Sequence, residues 1–169
     1  MVLRIVDKVS IVSNRSSTFL KSELRRIMHV INPKEDFPEI GTVQNPAVFY
    51  DGRDASVCYE PSVRSEGGNV VLKFRGVIDF RITPVNIDGL RDCRYPVNPW
   101  AFNEVIGGAE TARWHILKAR LWIVTFNDLT IEVLFRTVEI IRRDAEEGPQ
   151  DRALVNTLNG LQGTGIIAL

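Results

Sequence analysis

Apolar and polar residues alternate along residues 69–83 with a period of two. The even positions carry Val70, Leu72, Phe74, Gly76, Ile78, Phe80 and Ile82. The odd positions between them are mostly polar. This period indicates an extended chain with one face buried and the other in solvent, so we predict a β-rich protein with an antiparallel, half-solvated sheet. Gly76 interrupts the apolar row and predicts a bend or a bulge at that point.

Two β-hairpins are predicted before and after this segment. Residues 48–50 and 55–59 flank an Asp-Gly turn, and residues 119–126 and 129–135 flank an Asn-Asp turn. The opposed pairs of the second hairpin are then Phe126 with Leu129, Val124 with Ile131, Trp122 with Val133 and Arg120 with Phe135. They form an apolar face with one charge at its end. Beyond this hairpin the apolar positions change from odd to even, which predicts a bulge at residues 136–137.

The N-terminal part of the chain predicts a helix over residues 18–31. Its apolar stripe consists of Leu20, Leu24, Ile27, Met28 and Ile31. This spacing places the stripe on one helical face, and the Asn-Pro pair that follows ends the helix. Residues 2–12 fit either a helix or a β-branched strand, and we favour the helix because the segment leads into a clearer one. A further short helix is predicted over residues 152–161.

Together these elements predict an α+β domain of mainly antiparallel β-structure. An N-terminal helical segment is expected to pack on a curved sheet, which is either a sandwich or a half-open barrel. Residues 1–143 are predicted to form this single globular domain. Residues 144–169 are read as an acidic linker and a C-terminal tail, either flexible or docked on the domain.

The length and the net charge of the chain limit the classes of protein to which it can belong. The chain has 169 residues, enough for one domain with its own core, and 21 basic residues balance 21 acidic residues. A net charge of zero argues against a dedicated nucleic-acid-binding protein. No apolar stretch matches a secretory signal or a membrane span, so we expect a cytoplasmic protein with no membrane partner.

The sequence contains no recognisable signature of catalysis or of metal binding. His29 and His115 lie far apart, and the two cysteines, Cys58 and Cys93, lack metal-ligand spacing. We therefore expect no metal, no cofactor and no catalytic residues. A carboxylate-only site stays open as an alternative to acids that are simply solvated, and its members would be Asp79, Asp88, Asp92 and Glu104.

Two further hypotheses concern the effect of positively charged side chains. Cys93 lies between Arg91 and Arg94, and positive charge would lower the pKa of its thiol and make it reactive; the alternative is an ordinary loop cysteine. Lys73, Arg75 and Arg81 are predicted to lie on the solvent face of the long strand, as in some proteins that bind single-stranded nucleic acid. Because the aromatic residues of that strand lie on the opposite face, a nucleic-acid partner is not expected.

The most informative irregular segment is residues 95–104. Its two prolines make it stiff, and Trp100 and Phe102 give it a large amphipathic area. Rigid loop aromatics anchor protein partners. They also close the open end of a sheet over its core, and both interpretations remain open.

Two functions follow from this reading. The first is a non-catalytic protein-interaction module, such as an inhibitor or an immunity-type binding protein, with an unknown protein partner or a second copy of itself. The second is a small-molecule-binding protein or an enzyme whose curved sheet encloses a pocket. The candidate interaction or pocket residues are Asp79, Arg81, Tyr95, Trp100, Phe102 and Glu104. A concave pocket with converging polar groups would favour the second function, and a flat exposed aromatic patch would favour the first.

Overall fold

The computed structural model describes residues 28–62, 68–145 and 148–163, without the side chains of residues 162 and 163. In these ranges the strands are β1 His29–Ile31, β2 Ala47–Tyr50, β3 Ala55–Tyr59, β4 Asn69–Arg75, β5 Asp79–Pro84, β6 Phe102–Ile106, β7 Arg120–Thr125, β8 Leu129–Phe135 and β9 Thr137–Ala145. The helices are α1 Ala109–Arg113 and α2 Gln150–Gly163, with 3-10 helices at Ile87–Asp92 and His115–Leu117. Within this part of the chain, no helix has the length and apolar character needed to cross a membrane.

The strands form two antiparallel sheets that pack face to face. One sheet has the strand order β1-β6-β7-β8-β5, and the other has the order β2-β3-β4-β9. Neither sheet closes on itself. The predicted antiparallel β-rich domain is therefore confirmed, and of the two predicted architectures the chain adopts the sandwich rather than the half-open barrel.

Aromatic rings fill the space between the sheets. Phe135 lies edge-on to Phe74 at 4.9 Å and to Trp122 at 5.2 Å between ring centroids. Edge-to-face geometry brings the positive ring edge to the negative ring face and adds to the hydrophobic gain of burial. All three side chains are fully buried. They lie at inward-facing positions of β4, β7 and β8 and belong to the core between the sheets.

The segment 69–83 is not one strand. It forms β4 in the four-stranded sheet and β5 in the five-stranded sheet. The chain crosses between the sheets at Gly76, whose φ of 62° is open to glycine without strain. A Cβ atom at Gly76 would meet the Arg136 side chain at 3.0 Å. The predicted interruption at Gly76 is thus a change of sheet, and the prediction of a single long strand is wrong.

The second hairpin has the predicted register. Trp122 pairs with Val133 and Arg120 with Phe135, as the two-residue turn requires. At Arg136, however, the chain crosses from β8 in one sheet to β9 in the other. The change of apolar phase after β8 therefore marks this crossing rather than a bulge. Since β9 pairs with β4 and β8 pairs with β5, the four strands form one continuous ribbon that bends from one sheet into the other.

The helix that packs on a sheet lies at the C-terminal end of the described chain. Ala153 and Leu154 of α2 pack against Cys58, Val71 and Ala145 on the outer face of the four-stranded sheet. The prediction of an N-terminal helix over residues 18–31 is wrong for His29–Ile31, which form β1. Extended geometry at these residues lets them pair with β6. Met28 lies in neither a helix nor a strand, and residues 18–27 of the predicted helix and the segment 2–12 lie outside the described residues.

A loop layer covers the outer face of the five-stranded sheet. Tyr95 of the segment 85–99 is buried there together with Val105, Leu121, Ile123 and Leu134. The molecule is therefore layered as helix, sheet, core, sheet and loop. Strand β9 continues to Ala145, so the predicted boundary at residue 143 falls within the strand; the division of the chain into a domain and a tail stays a prediction.

We expect Leu154→Ala to lower the free energy of unfolding by about 2–3 kcal/mol, because it removes buried methyl groups between α2 and the sheet. Leu154 is 4% exposed, whereas its neighbour Val155 is 54% exposed. Val155→Ala is the matched control and should change stability by less than about 0.5 kcal/mol. Urea unfolding followed by circular dichroism measures both. Equal effects of the two substitutions would show that α2 does not pack on the sheet in solution.

Candidate functional site

A cleft of about 570 Å³ opens at the end of the sandwich. Three segments line it: residues 32–43 after β1, residues 60–62 after β3, and residues 100–102 at the start of β6. Phe37, Ile40, Trp100 and Phe102 supply large apolar side chains to the lining. Its acidic members are Glu35, Glu39 and Glu60. Lys34 of the first segment does not border the cleft, and among the described residues that do border it, none is basic.

Backbone contacts hold the first two segments together. The Gly41 N–H donates to the Glu60 carbonyl over 2.8 Å, and the Ser62 N–H donates to the Glu39 carbonyl over 2.7 Å. A Cβ atom at Gly41 would lie 2.9 Å from the Glu60 carbonyl oxygen. Only glycine therefore allows this close approach, and the wall of the cleft depends on it.

The aromatic floor of the cleft belongs to the core. Phe37 lies edge-on to Phe102 at 5.6 Å and to Trp122 at 5.8 Å between ring centroids. Tyr59 lies edge-on to Phe102 at 5.6 Å, and its hydroxyl donates to the Pro38 carbonyl over 2.8 Å. Burial raises the pKa of this hydroxyl. The floor is a continuation of packed core, so it is fixed in shape before any ligand arrives.

Arg120 joins the cleft to the five-stranded sheet. Its guanidinium donates to both carboxylate oxygens of Glu104, over 2.8 and 2.7 Å. It also donates to Glu35, with one hydrogen bond of 2.9 Å, and forms an ion pair with the same carboxylate. Glu104 is only 7% exposed. The guanidinium lies 5.0 Å from the centroid of the Trp122 ring, so both ionic and aromatic contacts fix its position.

These contacts shift two ionisation equilibria. Hydrogen bonds from Arg120 hold the pKa of the Glu35 carboxyl below its ordinary value, against the opposing effect of burial. Hydrogen bonds to Glu104 and Glu35 raise the pKa of Arg120 above its ordinary value. Both groups are therefore charged at neutral pH, and one arginine serves two carboxylates.

Two polar side chains fix the loop that carries Trp100. Asn103 is buried, donates to the carbonyls of Asn98, Ala101 and Ile123, each over 3.1 Å, and accepts from the Asn98 N–H over 2.8 Å. The Thr125 hydroxyl donates to the Asn98 carbonyl over 2.7 Å. Trp100 has a φ of 47°, a left-handed backbone that costs about 1 kcal/mol or more in a non-glycine residue. The surrounding hydrogen bonds offset that cost.

The six candidate residues proposed from sequence lie in two places. Trp100 and Phe102 line the cleft, and Glu104 lies behind it in the Arg120 network. Tyr95, Asp79 and Arg81 lie on the other side of the five-stranded sheet, around a small depression. Burial raises the pKa of Tyr95 to about 12. Asp79 and Arg81 form an exposed ion pair of 3.0 Å on β5, so the structure brings only half of the set together.

The two hypotheses about cations find little support in the structure. The pKa of Cys93 is raised by burial and by the negative charges of Glu132 and Asp92, the opposite of an activated thiol. The three basic residues of segment 69–83 lie in different sheets, with Lys73 and Arg75 beside Asp54 and Arg81 beside Asp79. Within the described residues, no three His, Cys, Asp or Glu side chains are grouped as a metal site requires.

Sequence reasoning missed most of the cleft. The missed residues are Glu35, Phe37, Glu39, Ile40 and Glu60. The segment 33–46 contains three prolines and has no hydrophobic period, so its sequence indicates a loop but not what that loop contacts. One usable signal was Arg120, a charge in an otherwise apolar row, because a charge that faces a core needs an opposite charge beside it.

Comparison with known proteins finds no matching family model, no matching curated protein and no matching solved structure. The chemistry of the cleft is therefore the basis for a functional assignment.

The Glu35–Arg120 pair predicts an acid-dependent loss of stability. Because the folded-state pKa of Glu35 lies below its ordinary value of 4.5, its contribution is present above that pH and is lost as the pH falls through the folded-state pKa. We expect Glu35→Gln to destabilise the protein most above pH 5 and progressively less below it. Urea unfolding over a pH series measures this difference.

A double-mutant cycle is the control for this prediction. In an Arg120→Gln background, Glu35→Gln should have a much smaller pH-dependent effect, because the partner that lowers the pKa is gone. The same pH-dependent loss in both backgrounds would mean that Arg120 is not the partner of Glu35 in solution.

Proposed function

We propose that this protein is a non-catalytic interaction module that holds a positively charged, apolar segment of a protein partner in the cleft. The observation that supports the proposal is the combination, in one concave site, of an aromatic floor and an acidic rim. We expect it to act in the cytoplasm as an inhibitor or as an immunity-type binding protein.

The floor is suited to an apolar side chain. Phe37, Trp100 and Phe102 border the cavity, and each also packs against the core. An apolar group that binds on these rings is removed from water and gains van der Waals contacts with close-packed aromatic side chains. Aromatic residues in partly enclosed pockets are the usual anchors of protein interfaces, and Trp is prominent among them.

The rim is suited to a cation. Glu39 and Glu60 are both exposed at the mouth of the cleft, while the third acid, Glu35, is engaged by Arg120. The two glutamates lie on paired segments of one wall, so both carboxylates can approach the same lysine or arginine side chain. Attraction of this kind mainly speeds association and selects partners of the right charge. A lysine or arginine next to an aromatic or aliphatic residue therefore matches the site.

The loops of the site are preorganised. Asn103 and Thr125 hold the Trp100 loop, and Arg120 holds the loop that contains Glu35. A binding surface that is already ordered loses less conformational entropy when a partner arrives. This supports recognition by the cleft as it stands rather than folding of the cleft around its partner.

We expect selection from a display library of random peptides to enrich sequences in which Lys or Arg lies beside an aromatic or aliphatic residue. Trp100→Ala should weaken binding of an enriched peptide at least about tenfold, because it removes part of the floor. Glu39→Gln combined with Glu60→Gln should weaken it by about three- to tenfold at low salt and by less at high salt. Fluorescence anisotropy measures these affinities.

The controls separate binding from folding and from net charge. Ile116→Ala removes a residue that is 83% exposed outside the cleft, and it should leave the affinity unchanged. Asp88→Asn with Asp92→Asn matches the loss of two charges at another surface. Enriched peptides without a basic residue, or peptides that bind equally well to the Trp100→Ala and wild-type proteins, would contradict the proposal. Circular dichroism verifies that each variant is folded.

The shape of the cleft also supports a second candidate function, the binding of a small organic cation. Its volume of about 570 Å³ falls in the range of roughly 300–1,000 Å³ that small-molecule sites occupy. Thermal unfolding in the presence of aromatic amines and their neutral isosteres distinguishes the two. Stabilisation by an amine alone, with no peptide enriched by selection, would favour the small-molecule function.

A further inference from the structure

Strand β5 is an open edge of the five-stranded sheet. It pairs with β8 on one side, and no strand of the described chain pairs with its other side. Five of its six residues are exposed. Ile82 is 47% exposed, and Tyr50 of β2 is exposed where it stacks on Phe80 at 5.1 Å between centroids. An open edge beside exposed apolar side chains is a surface to which another strand can add.

The ladder with β8 shows which backbone groups of β5 are open. The Val85 N–H donates to the Asp128 carbonyl over 3.1 Å, in the same register that pairs Pro84 with Leu129. In an antiparallel pair, alternate residues direct both backbone groups to the same neighbour. The backbone N–H and C=O groups of the odd-numbered residues of β5 therefore point to β8. Those of Phe80 and Ile82 point to the open side of the strand. Pro84 is the next even-numbered residue, but it has no backbone N–H to donate, so the row of open donors ends before it.

We propose that β5 pairs antiparallel with β5 of a second copy of this chain, about a two-fold axis at Phe80. In this register the open backbone groups of the two Phe80 residues bond to each other. Asp79 of each copy then lies opposite Arg81 of the other copy. These flanking pairs are of the non-hydrogen-bonded kind, in which Cα atoms approach to about 4.5 Å and side chains are closest.

Charge selects this register over its neighbour. A shift of the two-fold axis by one residue would place Arg81 opposite Arg81, and like charges directly opposite destabilise a strand pair. In the proposed register, by contrast, Asp79 and Arg81 of both copies alternate in sign. The existing ion pair of 3.0 Å between these residues within one strand would become part of a four-residue network. The surface is thus complementary to itself, as a two-fold interface requires.

The pairing leaves the proposed cleft open. The cleft is lined by β6 and by the loop after β1, and these strands lie at the opposite edge of the sheet from β5. The dimer would extend one sheet across both copies and would cover Ile82 and Tyr50. It would also present two clefts, so that a partner with two suitable segments is bound with higher avidity.

Sedimentation velocity of the full chain over a range of concentrations tests this inference. We expect the wild type to show reversible dimers. Asp79→Arg places two cations opposite each other at both flanking positions and should raise the dimer Kd at least about tenfold. Adding Arg81→Asp to it exchanges the charges and should restore the Kd to near the wild-type value. Ile82→Lys should weaken the dimer, whereas Ile116→Lys and Trp100→Ala should not.

Each other result overturns the inference or its register. A wild type that stays monomeric at the highest soluble concentration rules out the dimer. A dimer that survives both Asp79→Arg and Ile82→Lys uses another surface. Loss of the dimer in Asp79→Arg without recovery in the charge-exchanged variant rules out the pairing of Asp79 with Arg81. The substituted residues other than Trp100 are exposed, and circular dichroism verifies that all variants are folded.

Discussion

The guanidinium of Arg120 is the contact on which the geometry of the cleft depends. It belongs to the first residue of β7 and binds Glu104 of the neighbouring strand β6 and Glu35 of the loop after β1. Taking these charges out of water carries a large desolvation cost, which is offset only because one planar arginine reaches both carboxylates with several hydrogen bonds. A lysine could not make this arrangement. The loop that forms one wall of the cleft is thereby positioned relative to the sheet that forms its floor.

Parts of the fold could be predicted because two independent signals agreed. In the β7–β8 hairpin, the tight turn and the apolar rows require the same register, and that register is observed. The segment around Gly76 shows the limit of such reasoning. Alternation reports which face of a strand is buried, and both sheets bury their inner faces in the same core. The apolar row therefore resumes in phase at Phe80 after the chain has changed sheets, and apart from Gly76 the pattern carries no sign of the change.

The candidate site was predictable only where it had a local signature. Trp100 and Phe102 could be found because they follow two prolines within one short, stiff segment. Phe37 and Glu35 were missed because their significance lies in contacts with residues that are distant in the chain, such as Trp122 and Arg120. The helix on the four-stranded sheet was sought at the wrong end for a related reason. A short apolar stripe predicts a helix but does not say whether a sheet has a face left to cover.

The bent ribbon has a mechanical consequence. Because β4–β9 and β5–β8 are two halves of one hydrogen-bonded ribbon, neither sheet can slide past the other without breaking the bonds at the bend, where the Arg136 N–H donates to the Arg75 carbonyl over 3.1 Å. The two sheets are thus connected by hydrogen-bonded strands on the side of β5 and β8. The cleft lies at the opposite edge of the five-stranded sheet, near β1 and β6. The domain therefore has one stiff edge, where the two sheets are connected, and a cleft at the other edge whose width is set by the loops that line it.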